Sequence, residues 1–172
     1  TSLPGLYAAG ECACAYHGAN RLGGNSLLGA IHGGRAAAET ALHEMERIPF
    51  EPELFTEDYR PLGEEETEDD RRIAEILLSG MGILRDEQTI TDALSALTSL
   101  RESAKNARTI SDEFAARLLL AEAMLKSARW RKESRGAHVR TDYPDTDAAF
   151  QKASEAVWNR KSVQIACKEA AG

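Results

Sequence analysis

The stretch Ser-Asp-Glu-Phe-Ala-Ala-Arg-Leu-Leu-Leu-Ala-Glu-Ala-Met-Leu-Lys-Ser-Ala-Arg-Trp, residues 111–130, decides the fold class. Within it Phe114, Leu118, Ala121, Leu125 and Ala128 recur at alternating steps of four and three. That spacing aligns side chains along one stripe of a helix with about 3.6 residues per turn, and predicts a helix beginning near Ser111. Upstream, Ile90, Ala93, Leu94, Leu97 and Leu100 draw a second stripe. Ile73, Ile76 and Leu77 open a third, behind a capping-box-like Thr67 and Asp70, before Gly80 and Gly82 interrupt it. Three amphipathic helices joined by short turns predict a bundle, with these apolar residues as its core.

Beyond Trp130 the periodicity stops. Residues 131–144 are polar and contain Gly136 and Pro144, so they cannot continue a helix. Ala156 and Trp158 then alternate with polar neighbours, as do Val163, Ile165 and Cys167 on the far side of Asn159, Arg160 and Lys161. Two period-two runs around a polar turn predict a terminal hairpin.

Toward the N-terminus, Pro49, Pro52 and Pro61, interleaved with Phe50, Leu54, Phe55 and Tyr59, mark an ordered linker and a domain boundary. Before it, the apolar run at residues 5–10, bounded by glycines, predicts a buried parallel strand. A glycine-rich loop leads through Arg21 to Gly24. A helix follows from Ser26, with Leu28, Ile31, Arg35, Ala38, Leu42 and Met45 at helical spacing. Gly29, Gly33 and Gly34 cost helix stability, and are expected to permit close backbone packing against a sheet.

Charged residues at 28% and apolar residues at 42% fit a soluble globular protein. A net charge of -7 argues against a nucleic-acid partner, which would need clustered Lys and Arg. The acidic run Glu64, Glu65, Glu66, Glu68, Asp69 and Asp70 reads as a solvated loop and helix start, since contiguous acids lack the alternating spacing of a calcium loop. Cys12, Cys14 and Cys167 are odd in number with no signal peptide ahead of them, which points to a reducing compartment. Cys12 and Cys14 have no second pair to close a tetrahedral zinc shell, so they are expected to be small buried side chains and no metal is predicted. The chain opens at Thr1 as if entered mid-fold, and at 172 residues it is too short for a whole dinucleotide enzyme.

The chemistry concentrates in residues 10–28, which contain His-Gly-Ala-Asn-Arg-Leu-Gly-Gly-Asn-Ser-Leu-Leu from His17. This is a strand end, a glycine-lined loop and a helix N-terminus with Asn25 or Ser26 as its cap. Free N–H groups and a positive dipole end suit an anion or the electron-rich carbonyl edge of a flavin. Arg21 adds a planar fork able to grip a carboxylate through two hydrogen bonds. The competing reading, that Arg21 only braces the loop, is the weaker one for an arginine inside so glycine-rich a stretch.

That block closely resembles the signature near the C-terminal end of the FAD domain in the succinate dehydrogenase and fumarate reductase flavoprotein family, which includes L-aspartate oxidase. Residues 133–144 resemble a second signature of the same family, downstream of the helical domain. The resemblance implies a mainly α chain: a three-helix bundle with a C-terminal β-hairpin, preceded by the last strand and helix of an α/β FAD-binding domain. The implied divisions are the FAD-domain remnant at residues 1–47, a linker at 48–66, the bundle at 67–132 and the tail at 133–172. It also implies that Glu11 contacts the ribityl chain of FAD, that Asn25, Ser26 and Leu27 present groups to the isoalloxazine ring, and that Arg21 holds a carboxylate of succinate or fumarate. The remaining substrate ligands and the pyrophosphate-binding turn would lie in polypeptide before Thr1. The fragment alone is therefore expected to be inactive and to lack FAD.

The partners implied are a dicarboxylate substrate and an iron–sulfur subunit or other electron carrier. The location implied is cytoplasmic, at the inner face of a membrane through partner subunits. L-aspartate oxidase ranks lower because the Leu22-Gly23-Gly24 step is more like the dehydrogenase branch. A third reading takes residues 64–172 as a helical subunit-interaction module, with self-association of the severed chain. Residues 1–25, without the rest of their sheet, are expected to be disordered or repurposed. His17 and His138 read as structural, His32 and His43 as incidental, and Trp130 and Trp158 as core or interface anchors. Glu133, Arg135, Arg140 and Asp142 are expected to tie the tail to the body through ion pairs and caps.

Overall fold

Helices α1 (Asn25–Glu44), α2 (Glu68–Met81), α3 (Glu87–Ala107) and α4 (Asp112–Trp130) and one antiparallel hairpin make up the regular structure of the computed structural model. The structure describes residues 3–13, 17–45, 68–107 and 111–167. The linker expected at residues 48–66, Thr67 and Cys14 lie outside the described residues. The chain divides into two units, residues 1–62 and 63–172.

In the second unit α2, α3 and α4 each pack against the other two. All five residues of the stripe read from residues 111–130 are buried on α4, and Ile90, Ala93, Leu97 and Leu100 face them from α3. Ile73 supplies the buried contact from α2, with Ile76 and Leu77 packed beside it. Local chemistry sets the helix starts. Ser111 Oγ accepts from the Phe114 N–H at 3.1 Å, which satisfies one orphan donor of α4. Asp86 and Thr89 do the same reciprocally for α3: Asp86 Oδ1 accepts from the Thr89 N–H at 2.8 Å, and Thr89 Oγ1 from the Asp86 N–H at 3.1 Å.

Gly80 departs from the sequence reading. It does not interrupt α2 but sits buried one residue before its end, where a Cβ would stand 2.5 Å from Ala93 Cβ and 2.8 Å from Leu125 Cδ2. The glycine is there so that three helices can meet.

Strands β1 (Ser154–Trp158) and β2 (Val163–Cys167) pair antiparallel, Ser154 opposite Cys167 and Trp158 opposite Val163, and pack on α4. Val163 is buried and Ile165 and Cys167 are half-buried, while Gln164 and Ala166 face solvent, the alternation the sequence predicts. Asn159 Oδ1 closes the turn by accepting from the N–H groups of Lys161 and Ser162 at 3.0 and 2.9 Å. Trp130 is half-buried, edge-on to Phe150 at 5.0 Å between ring centroids. Trp158, by contrast, is 55% exposed and is no core anchor.

In the first unit the strand expected at residues 5–10 is not formed. The chain turns at Gly5 (φ 78°), with the Leu6 N–H donating to the Leu3 carbonyl at 3.2 Å, and enters a 3-10 turn, Gly10–Ala13. A parallel strand exists only as part of a ladder, and the described residues of this unit offer it no neighbour. Close packing of the α1 glycines survives in another form: the Cβ position of Gly33 lies 3.4 Å from the Gly10 nitrogen. Tyr7 Oη donates to Glu44 Oε2, tying the start of the chain to the end of α1, and that bond holds the phenol pKa above its ordinary value. No residue of α1 is buried; Leu27, Leu28, Ile31 and Leu42 all stand open in this unit. Among the described residues, no helix is long and apolar enough to cross a membrane.

Candidate functional site

Two glycines with positive φ, Gly18 (66°) and Gly24 (84°), shape the loop that delivers the chain to α1. Gly24 is itself the N-cap residue, in the left-handed region, and no side chain caps the helix. The cap expected at Asn25 or Ser26 is thus not made. Gly24 turns the chain without a Cβ penalty, and both polar residues fall inside the helix. The Asn25 N–H is directed to the Leu22 carbonyl at 3.3 Å. Ser26 and Leu27 stand exposed on the first turn, where backbone N–H groups have no intrahelical acceptor and carry the positive end of the helix dipole. An uncapped, exposed helix start of this kind suits the carbonyl edge of a flavin ring.

Arg21 is exposed in the loop ahead of that helix start. Its backbone N–H donates to Asn20 Oδ1 at 2.9 Å, and its guanidinium reaches the Leu22 carbonyl only at 3.4 Å, a long bond for a bracing role. It makes no ion pair among the described residues, so its fork is open to a carboxylate. Glu11 is exposed in the 3-10 turn, and the Cβ position of its neighbour Gly10 lies 3.5 Å from Ala30 Cβ on α1. The structure therefore puts Arg21, Asn25, Ser26 and Leu27 on one loop-to-helix junction and Glu11 on the turn packed beside that helix. Cys12 corrects the expectation of burial: it is exposed, and its Sγ donates to the Ala9 carbonyl at 3.1 Å. Among the described residues no cluster of His, Cys, Asp and Glu is placed to hold a metal ion. His32 and His43 are exposed on α1.

The second signature, residues 133–144, forms a buried ionic knot in the other unit. Glu133 and Arg140 are both fully buried. Glu133 accepts from Arg131 Nη1 at 2.5 Å, from Arg135 Nε at 3.0 Å and from the Asp147 N–H at 2.9 Å. Burial raises the Glu133 pKa, but the Arg135, Asp147 and Arg131 donors outweigh it and hold the carboxyl at about 2. Arg140 grips Asp142 with both arms, at 2.7 and 2.6 Å, reaches Glu87 of α3 at 3.2 Å, and caps the last carbonyls of α4 at Ala128 and Arg129. The Arg140 bond is the main reason Asp142 also sits at about 2. Asp142 Oδ2 in turn accepts from the Glu87 N–H at 2.9 Å, at the start of α3.

His138 is half-buried, with Nε2 at 3.0 Å from the Arg131 carbonyl and Nδ1 at 3.3 Å from Arg85 Nη1. Burial, reinforced by the arginines, pushes its pKa down, so it is a neutral structural ring. These groups tie the tail to the bundle, as the sequence reading expects. What that reading missed is Arg85, Glu87 and Arg131. Arg85 and Glu87 meet partners distant in sequence, and Arg131, besides its near neighbour Glu133, reaches the Phe150 and Lys152 carbonyls; no local spacing announces these long ties.

Residues 70–171 match the family described as "Fumarate reductase flavoprotein C-term", and residues 1–27 match the FAD binding domain family. An L-aspartate oxidase of Rhodospirillum rubrum is 38% identical over 154 residues, 87% of this chain and 53% of that protein. An L-aspartate oxidase of Pyrococcus horikoshii is 40% identical over 90% of this chain and 30% of its own length. A fumarate reductase flavoprotein subunit of Mycobacterium tuberculosis is 40% identical over 86% of this chain and 30% of its own length. The chain thus spans between about a third and a half of the relatives it matches. Among solved structures, E. coli quinol fumarate reductase FrdA superposes with a TM-score of 0.74 at 26% identity, covering 95% of this chain and 33% of that one. The Mycobacterium smegmatis Sdh1 complex superposes with 0.69 at 30% identity, covering 95% and 32%.

Proposed function

We propose, from the premise that this chain belongs to the fumarate reductase flavoprotein C-terminal family of FAD-dependent oxidoreductases, that it forms the carboxylate-gripping wall of a succinate/fumarate-interconverting flavoenzyme. The observation that carries the reading is Arg21, exposed and without an ion pair among the described residues, on the loop that leads into an uncapped helix start. FAD supplies hydride transfer at its N5 atom when bound. For this chain's part, the first-turn N–H groups of Ser26 and Leu27 would steady negative charge on the reduced ring, Asn25 would lie at its edge, and Glu11 would hold the ribityl hydroxyls. Arg21 would orient the dicarboxylate through two charge-assisted hydrogen bonds.

The division into an FAD-domain part at residues 1–47, a linker at 48–66, a bundle at 67–132 and a tail at 133–172 belongs to the same proposal. So do an iron–sulfur or other electron-carrying partner subunit and a peripheral position on the inner face of a membrane. FAD retention and turnover are assigned to the whole flavoprotein and not to residues 1–172 alone.

L-aspartate oxidation is the second reading, favoured by the Rhodospirillum and Pyrococcus relatives. Its substrate is also a dicarboxylate, so Arg21 serves either. Steady-state assay of the whole flavoprotein with fumarate and with L-aspartate separates the two. In both cases Arg21→Gln should lower kcat/KM on the order of a hundredfold or more, since two bonds to a charged group are lost. An unchanged kcat/KM would remove Arg21 from the site.

A further inference from the structure

We propose that the groove between α3, α4 and the hairpin turn is a docking site for an acidic, leucine-bearing peptide segment of a partner protein. The groove encloses about 560 Å³ and lies wholly within the second unit. Its floor is the small and apolar face of α4, Ala115, Ala116 and Leu119, and one wall is Trp158, 55% exposed. Such a floor takes an aliphatic side chain, and an exposed tryptophan beside it is the residue type that anchors interfaces.

The rim decides the sign of the partner. Four cations border the groove, Arg101, Lys105, Arg160 and Lys161, against two carboxylates, Asp112 and Glu122, in a chain whose net charge is -7. Arg101 and Lys105 are already committed, to Glu122 and Glu102, each at 2.7 Å. Arg160 and Lys161 make no ion pair among the described residues. They project from a turn that Asn159 fixes, and Arg160 holds φ 70°, in the left-handed region that favours glycine. A glycine would serve the turn better, yet the position carries a cation.

Long polyanions and anionic membranes suit this surface poorly. Beyond the rim they run over the rest of the second unit, where Asp and Glu outnumber Lys and Arg, whereas a short acidic segment feels chiefly the local rim, within a Debye length of about 8–10 Å. An acidic segment with a leucine satisfies rim and floor together.

The test uses the full chain and a short fluorescein-labelled peptide in which glutamates flank leucines, with a lysine-for-glutamate counterpart. The expected result is saturable anisotropy with the acidic peptide only, weakening with added salt, and a change in tryptophan emission that Trp158→Phe abolishes. The paired substitution Arg160→Gly with Lys161→Ala, which relieves the left-handed turn, should leave the circular dichroism spectrum intact and weaken binding at least tenfold. Absence of binding, equal binding of the lysine peptide, or unchanged affinity in the paired variant overturns the proposal. So does capture by phosphatidylglycerol vesicles or single-stranded DNA that the acidic peptide fails to displace.

Discussion

Gly80 shows how much one missing methyl group can decide. Its position on α2 would carry a Cβ into Ala93 and Leu125, two of the most buried side chains in the bundle. Exchanging glycine for alanine inside a helix ordinarily gains about 1 kcal/mol of propensity. Overpacking a close-packed core costs about 1–3 kcal/mol, and a contact at 2.5 Å with another helix cannot be relieved by turning a flexible side chain. The clash should prevail, so Gly80→Ala is expected to lower the stability read from urea unfolding by a net amount of up to about 2 kcal/mol. Adding Ala93→Gly should recover part of that loss; a Gly80→Ala protein as stable as the parent would show that α2 and α3 can move apart freely.

Among elements, the helices were legible in the sequence and the bundle residues that the tail grips were not, for one physical reason. The α4 stripe is a local signal, because residues three and four apart share a face whatever the rest of the chain does. The tie between Arg140 and Glu87 spans 53 positions, so only the fold reveals it. The same limit governs the start of the chain. Residues 5–10 carry the composition of a buried strand, but a strand is a relation between segments. At the candidate site, residue types place the loop and the helix start, whereas propensity points to Asn25 or Ser26 as the cap and the backbone gives that position to Gly24. The tail knot has a pH signature whose sign follows from its partners. Glu133 and Asp142, at about 2 when folded, regain ordinary values of 4.5 and 3.8 when the knot opens. Depressed carboxyl values contribute stability that is full above the ordinary values and lost as pH falls toward 2. Neutral His138 adds a loss of the same sign that begins near pH 6.5, where the unfolded ring takes up its proton. Urea midpoints should therefore fall steeply between about pH 4.5 and 2. Glu133→Gln should flatten that descent while lowering stability at pH 7 by roughly 3–5 kcal/mol, because Arg131 and Arg135 lose a buried partner. A descent equally steep in Glu133→Gln would assign the acid sensitivity elsewhere.

For the whole molecule, the two units differ in how much of their own stability they contain. Every member of the buried helical core, from Ile73 to Ala128, comes from α2, α3 and α4, and the ionic knot and hairpin close on those same helices. The first unit buries no side chain of its long helix and leaves Leu27, Leu28, Ile31 and Leu42 open. Apolar burial at roughly 25 cal/mol per Å² is the main term offsetting chain entropy, so cooperative unfolding should belong to residues 63–172. A protein made of those residues alone should keep the helical circular dichroism of α2–α4 and melt in a single transition within a few degrees of the full chain. Residues 1–62 alone should show no cooperative melt, because α1 has propensity but no buried apolar face to make it persist. If the shortened protein melted far below the full chain, the first unit would be contributing stability to the second, and the independence inferred from the location of the core would be wrong.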